Sequence, residues 1–143
     1  MSDVIRVDGG KAVGTITIDR PAQHNAINYD MWLELGDAAR FLAADEEVKV
    51  VVLTGAGGEA FSASADIKDF PEHRSTSALA KEYAVAFEGA LDAIEAIPKA
   101  TIAMIRGICV GGGARKIPWY PRETLGDAGY SPYARADPGP AHV

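Results

Sequence analysis

The sequence predicts an α/β domain, and three observations carry that reading. Two β-branched runs flank an Asp-Gly-Gly turn near the N-terminus, and two strongly apolar runs occupy residues 48–53 and 101–105. Between the apolar runs lies a long amphipathic pattern with helical spacing. A helical crossover joining buried strands belongs to an α/β sheet, because parallel neighbours need a connection of a dozen or more residues. The 143 residues suit one domain, which at this size buries about two-thirds of its unfolded surface.

Residues 4–7 and 13–18, joined through Asp8-Gly9-Gly10, read as an antiparallel hairpin. Arg20-Pro21 ends the second strand, since proline lacks the donor a ladder needs, and residues 22–28 follow as a loop. From 29 to 44, Met31, Trp32, Leu35, Ala38, Ala39 and Leu42 recur at helical spacing, with Glu34, Asp37 and Arg40 opposite them. Asn28 stands where an N-cap is needed, a reading that outweighs a catalytic one. The run 48–53, ending in Thr54-Gly55, fits a strand central in its sheet and covered on both faces. A second helix carries Leu79, Tyr83, Phe87, Ala90, Leu91 and Ile94 as far as Ile97, where Pro98 stops it. Residues 101–105 form the next buried strand, and Gly111-Gly112-Gly113 closes the regular part. Residues 114–143 hold five of the eight prolines and sustain no period, so a poorly ordered tail is expected there.

A net charge of -6 excludes the basic footprint of a general nucleic-acid binder, so no nucleic-acid partner is expected. Cys109 is the only cysteine, which rules out an internal disulfide and a cysteine-cluster zinc site. His24, His73 and His142 lack metal-ligand spacing, and no metal is expected. Charged residues near the N-terminus and the lack of a long apolar run predict no export signal and no membrane span, hence a cytoplasmic protein.

Two segments are candidates for chemistry. In Ala60-Phe61-Ser62-Ala63-Ser64-Ala65-Asp66-Ile67-Lys68-Asp69-Phe70, small residues follow a buried strand and lead into a helical turn, leaving backbone N–H groups available. An ordinary strand-to-helix connection has the same look. In Ile105-Arg106-Gly107-Ile108-Cys109-Val110-Gly111-Gly112-Gly113, three glycines let a ligand approach the backbone, without the spacing of a P-loop or dinucleotide fingerprint. Ser64 lacks the G-x-S-x-G frame and an assignable base, so it is not read as a nucleophile.

Together with Asp19-Arg20-Pro21-Ala22-Gln23-His24-Asn25-Ala26-Ile27, these segments resemble, in order, the motifs of the enoyl-CoA hydratase/isomerase (crotonase) family over about residues 4–113. The resemblance implies the N-terminal part of a crotonase-like domain over 1–113, a truncated spiral of β-β-α units, followed by a divergent tail over 114–143. It implies an acyl-CoA thioester as ligand, with CoA belonging to the substrate and no separate cofactor. The backbone N–H groups of Ala65 and Gly112 would form the oxyanion hole. Ala22 and His24 would lie along the CoA moiety, while Ala63, Asp66 and Ile67 would line the approach to the thioester. By its own position Asp66 also reads as the cap of the next short helix, which is the stronger reading.

The family's hydratases use two glutamates, and the position matching the first holds Arg115, with no recognisable counterpart of the second. Each positioned carboxylate contributes about 100- to 10,000-fold in rate. Pro118 interrupts the helix expected after the glycines, and Ser64 replaces a usual glycine. Two readings follow: a hydratase of 2-enoyl-CoA in fatty-acid metabolism, or a catalytically silent fragment that binds acyl-CoA or pairs with another subunit. A core lacking its later elements would expose apolar surface, to be covered in a homo-oligomer or by a complementing C-terminal chain.

Overall fold

The computed structural model describes residues 3–63 and 65–109. Ser64, Gly112, Arg115, Pro118 and the whole of 114–143, with the domain boundary and tail expected there, lie outside the described residues. The elements run β1 (Ile5–Asp8), β2 (Val13–Ile18), a 3-10 turn (Pro21–Gln23), α1 (Tyr29–Ala44), β3 (Val50–Gly55) and β4 (Ala60–Ser62). A second 3-10 turn (Ile67–Asp69), α2 (Phe70–His73), α3 (Ser77–Glu95), β5 (Ala100–Met104) and β6 (Ile108–Cys109) complete the order. Two strands followed by helix occur twice, and β5 and β6 supply two successive strands once more. This is the expected β-β-α progression.

Four strands form one sheet in the order β1-β2-β3-β5, and β4 pairs with β6 in a second, two-stranded sheet. β1 runs antiparallel to β2 from Ile5 opposite Ile18 to Asp8 opposite Thr15, starting and ending one residue later than the sequence pattern suggests, and residues 9–14 separate the last pair. The β2–β3 and β3–β5 pairs are parallel, which places β3 centrally, as expected.

Coverage of the sheet differs from expectation. Val51 and Leu53 of β3 are buried, but Val50 and Val52 are only partly so. The reason lies in α1. A side chain built at Gly14, which pairs with Val51, would press on Leu42 of that helix, so α1 covers the Gly14–Val51 face. On the opposite face of edge strand β5, Ile102 is 52% and Met104 42% exposed. The sequence run 101–105 thus reads as buried but forms an alternating edge strand. Its apolar content reflects strand propensity and one-sided packing in place of full burial.

Helix α1 has the predicted limits, with Asn28 as N-cap accepting a hydrogen bond from the Met31 N–H at 3.0 Å. At its far end no glycine cap is present. Lys99 serves there, its ammonium donating to the Leu42 carbonyl at 2.8 Å, which suits a cation at a helix C-terminus. Helix α3 starts two residues before Leu79, where Thr76 caps it. The two helices meet closely at Gly36 and Ala90. Beside that contact Trp32 Nε1 donates to the Tyr83 hydroxyl at 3.0 Å, and the Trp32 ring meets Phe87 edge-on at 4.6 Å. Burial against water contributes roughly 1.5–3 kcal/mol for each large apolar side chain of this interface, so the α1–α3 contact anchors the fold.

Between β5 and β6, Gly107 has φ +76, and a Cβ there would collide with the Glu59 carbonyl. The collision comes at the point where the Ile108 N–H donates to Glu59 O. Gly107→Ala is expected to destabilise the chain by about 2 kcal/mol or more through left-handed strain and backbone collision. A lower urea midpoint, with faster hydrogen exchange at the Ile108 amide than in the parent chain, is the readout.

Candidate functional site

The loop after β2 is shaped by one buried side chain. Asn25 has 0% exposure and sits at φ +58, after His24 at φ +51. A left-handed conformation is tolerable for Asn and costly for His, and two such residues in succession reverse the chain direction sharply. The side chain of Asn25 holds the reversal in place. Its Oδ1 accepts from the Arg20 N–H at 2.8 Å, and its Nδ2 donates to the carbonyls of Ala56 at 3.0 Å and Ala60 at 2.7 Å. The Ser62 hydroxyl donates to the Asn25 carbonyl at 3.0 Å. Close approach is possible because Gly55 lacks a side chain that would strike Asn25 Nδ2 and the Phe61 carbonyl.

So arranged, residues 24–27 run alongside Ala63, Ala65 and Asp66. The Ala63 N–H donates to His24 O at 3.0 Å and the Asp66 N–H to Ile27 O at 2.9 Å, while Ile27 and Ala65 form an isolated parallel bridge. Successive N–H groups of an extended segment point to opposite sides, so an Asp66 N–H turned toward Ile27 leaves that of Ala65 turned away. Among the described residues the Ala65 N–H meets no hydrogen-bond acceptor. It is a donor fixed by its neighbours and not consumed by them.

Asp66 ties the arrangement electrostatically. Its carboxylate pairs with Arg20 Nη1 at 2.8 Å, with the side chains only 13% and 23% exposed, and the same guanidinium nitrogen donates to Ala26 O at 3.1 Å. Its other oxygen caps the following 3-10 turn by accepting from the Lys68 N–H at 3.1 Å. The Arg20 hydrogen bond holds the Asp66 carboxyl below the usual carboxylate range, against the opposing effect of burial. The capping role read from the sequence is therefore present, and a partly buried ion pair accompanies it.

The other sequence candidates are placed unevenly. Ala22 lies exposed in the first 3-10 turn. The His24 side chain is 54% exposed, 3.8 Å from Glu59. Ala63 and Asp66 flank Ala65, and Ile67 projects to solvent at 71% exposure. Gly112 lies outside the described residues. Asp69, Glu72 and His73 bring ligand atoms within 4.8 Å of one another. Asp69 already accepts from the Tyr29 N–H at 2.6 Å, and the His73 ring stacks on Tyr29 at 4.5 Å, so this trio joins α2 to the start of α1. Arg20 and Asn25, which build the site, lie within the 19–27 motif, but neither is assigned a role there from the sequence.

A family model described as enoyl-CoA hydratase/isomerase matches residues 8–115. The chain belongs to this family. A Mycobacterium leprae relative, named "Probable enoyl-CoA hydratase echA8", is 36% identical over 111 residues, 78% of this chain and 41% of its own length. A 4-chlorobenzoyl coenzyme A dehalogenase of an Arthrobacter species is 33% identical, covering 76% of this chain and 40% of the relative. The crystal structure of an enoyl-CoA hydratase/carnithine racemase from Magnetospirillum magneticum superposes with a TM-score of 0.77 at 40% identity, over 82% of this chain and 44% of that one. The fold is that of the crotonase family, and this enoyl-CoA hydratase/isomerase family chain spans less than half the length of these relatives. No helix among its described residues is long and apolar enough to cross a membrane.

Two tests follow for this family member's loop. Asn25→Ala leaves buried carbonyls without donors and should cost about 2–4 kcal/mol, seen as a lower denaturant midpoint. For Asp66 the folded-state pKa lies below the unfolded value of about 3.9. Its contribution is thus complete above the unfolded pKa and is lost as pH falls through the folded one. Acid titration of stability should show a steeper fall below about pH 4 in the parent than in Asp66→Asn. Equal slopes would dismiss Asp66 as a contributor.

Proposed function

We propose that this chain binds acyl-CoA thioesters and directs the Ala65 N–H at the thioester carbonyl oxygen. The supporting observation is that unspent N–H, held between two ladder hydrogen bonds beside the ion-paired Asp66. A donor fixed before the ligand arrives needs no reorganisation, and one such donor is worth about 100- to 1,000-fold in rate in acyl-transfer sites. The second donor by motif position is the Gly112 N–H. Relatives named for hydration and for dehalogenation both carry coenzyme A in their names, which favours a shared thioester-binding element over any single reaction. Ala22, His24, Ala63 and Ile67 are assigned to the CoA and acyl approach as part of this proposal.

Hydration of 2-enoyl-CoA is the finer reading, and the chemistry weighs against it for this chain alone. The carboxylate adjacent to Ala65 belongs to Asp66, which is kept ionised by Arg20 and therefore makes a poor proton donor and a weak base near neutral pH. Arg115 stands where the family places its first glutamate. Binding without turnover is the conclusion. Pairing with another copy or with a chain carrying the later family elements fits the exposed Ile102, Met104 and Ile108.

Calorimetric titration with crotonyl-CoA should give saturable binding, and the enoyl absorbance should persist when the purified chain is incubated with the thioester. A full-length family hydratase supplies the positive control. Turnover by the folded chain would replace the silent reading with the hydratase one, whereas absence of any heat would remove the thioester assignment.

A further inference from the structure

We propose that Arg20 is a positioning residue for the Ala65 donor, acting through Asp66 and the Ala26 carbonyl; this rests on the thioester reading given above. Arg20 lies at the start of the reversed loop, 46 residues from Asp66 in sequence. A single guanidinium nitrogen meets Ala26 O at 3.1 Å and Asp66 Oδ2 at 2.8 Å, and so clamps the two segments that run side by side at Ala65.

The clamp acts on the residue that directly follows the donor. Asp66 is held by its N–H to Ile27 O and by its carboxylate to Arg20, which restrains both its backbone and its side chain. The direction of the Ala65 N–H follows the backbone torsions at Ala65, and the Ala65–Asp66 peptide on the C-terminal side of those torsions cannot turn freely without breaking the ion pair. The remaining two donors of this stretch, from Ala63 and Asp66, fix position along the strand but leave such a twist open at one end. Arg20 closes that freedom. Its own backbone N–H is bound by Asn25 Oδ1, so the base of the arm is as fixed as its tip.

Lysine cannot reproduce this geometry fully, because a compact ammonium lacks the planar set of donors that a guanidinium presents. It does restore a positive charge opposite Asp66. The series Arg20, Arg20→Lys and Arg20→Met therefore grades the clamp, and far-UV circular dichroism verifies that each chain is folded. Should Arg20→Met fail to fold, Asp66→Asn takes its place, since it keeps the side-chain shape and removes the charge.

The direct readout is the carbonyl stretch of crotonyl-CoA labelled with carbon-13 at the thioester carbon, measured by isotope-edited infrared difference spectroscopy in the bound state. The parent chain should move the band to lower frequency. Arg20→Met should bind the ligand with less than half of that shift, and Arg20→Lys should recover part of it. In the ligand-free proteins the amide resonance of Ala65 should move in the same order in a nitrogen-15 correlation spectrum, a change that a general loss of stability does not produce. A full carbonyl shift in Arg20→Met or its Asp66→Asn substitute, with the Ala65 resonance unmoved, would overturn the positioning role alone. A parent chain that binds crotonyl-CoA without any shift, or does not bind it, would instead remove the Ala65 donor and the positioning role together.

Discussion

Asn25 holds the turn on which the arrangement of the loop depends. His24 in the left-handed region costs of order 1–3 kcal/mol, Asn25 tolerates the same conformation more readily, and the fully buried amide of Asn25 offsets the strain through three hydrogen bonds to Arg20, Ala56 and Ala60. The turn lets residues 24–27 lie beside Ala63, Ala65 and Asp66, and hence lets the Ala65 N–H lie between the bonded Ala63 and Asp66. Gly55 belongs to the same constraint, since any side chain there would displace Asn25. Strain at the loop, its compensation and a donor that meets no acceptor among the described residues are one structural unit.

Charge placement around that unit favours anchoring over proton transfer. Arg20 and Asp66 are mostly shielded from water, where an ion pair survives only with good geometry and further hydrogen bonds. Both conditions are met, through Ala26 O on one side and the Lys68 N–H on the other. A carboxylate so engaged keeps its charge and its position. Asp69 behaves similarly toward the Tyr29 N–H, so the two acids closest in sequence to Ala65 bind backbone.

The helices secure the frame from behind. Gly36 and Ala90 allow α1 and α3 to approach, and Trp32, Tyr83 and Phe87 fill the space beside them with a satisfied polar contact at its centre. The sheet, by contrast, is covered by α1 on one face and leaves Ile102 and Met104 of β5 open on the other. Family relatives are more than twice as long as the matched part of this chain. The exposed edge and the partial coverage describe the same portion of a larger family fold.

What the sequence determined by itself was local and periodic. The spacing of Met31, Trp32, Leu35 and Leu42 set the helix, Asn28 set its first turn, and the apolar run ending at Gly55 set the central strand, since each depends on neighbours within a few residues. The family was legible too, because three motifs recur in fixed order. Ala65 was nameable by motif position, but that its N–H stays unspent depends on which partner Asp66 chooses. The tertiary structure decided that Arg20 reaches Asp66 across 46 residues, that Asn25 binds Ala56 and Ala60, and that β5 is an edge. Such contacts join residues far apart in the chain through single polar atoms. No periodicity records them, because their geometry exists only once the loop has folded back on the strand.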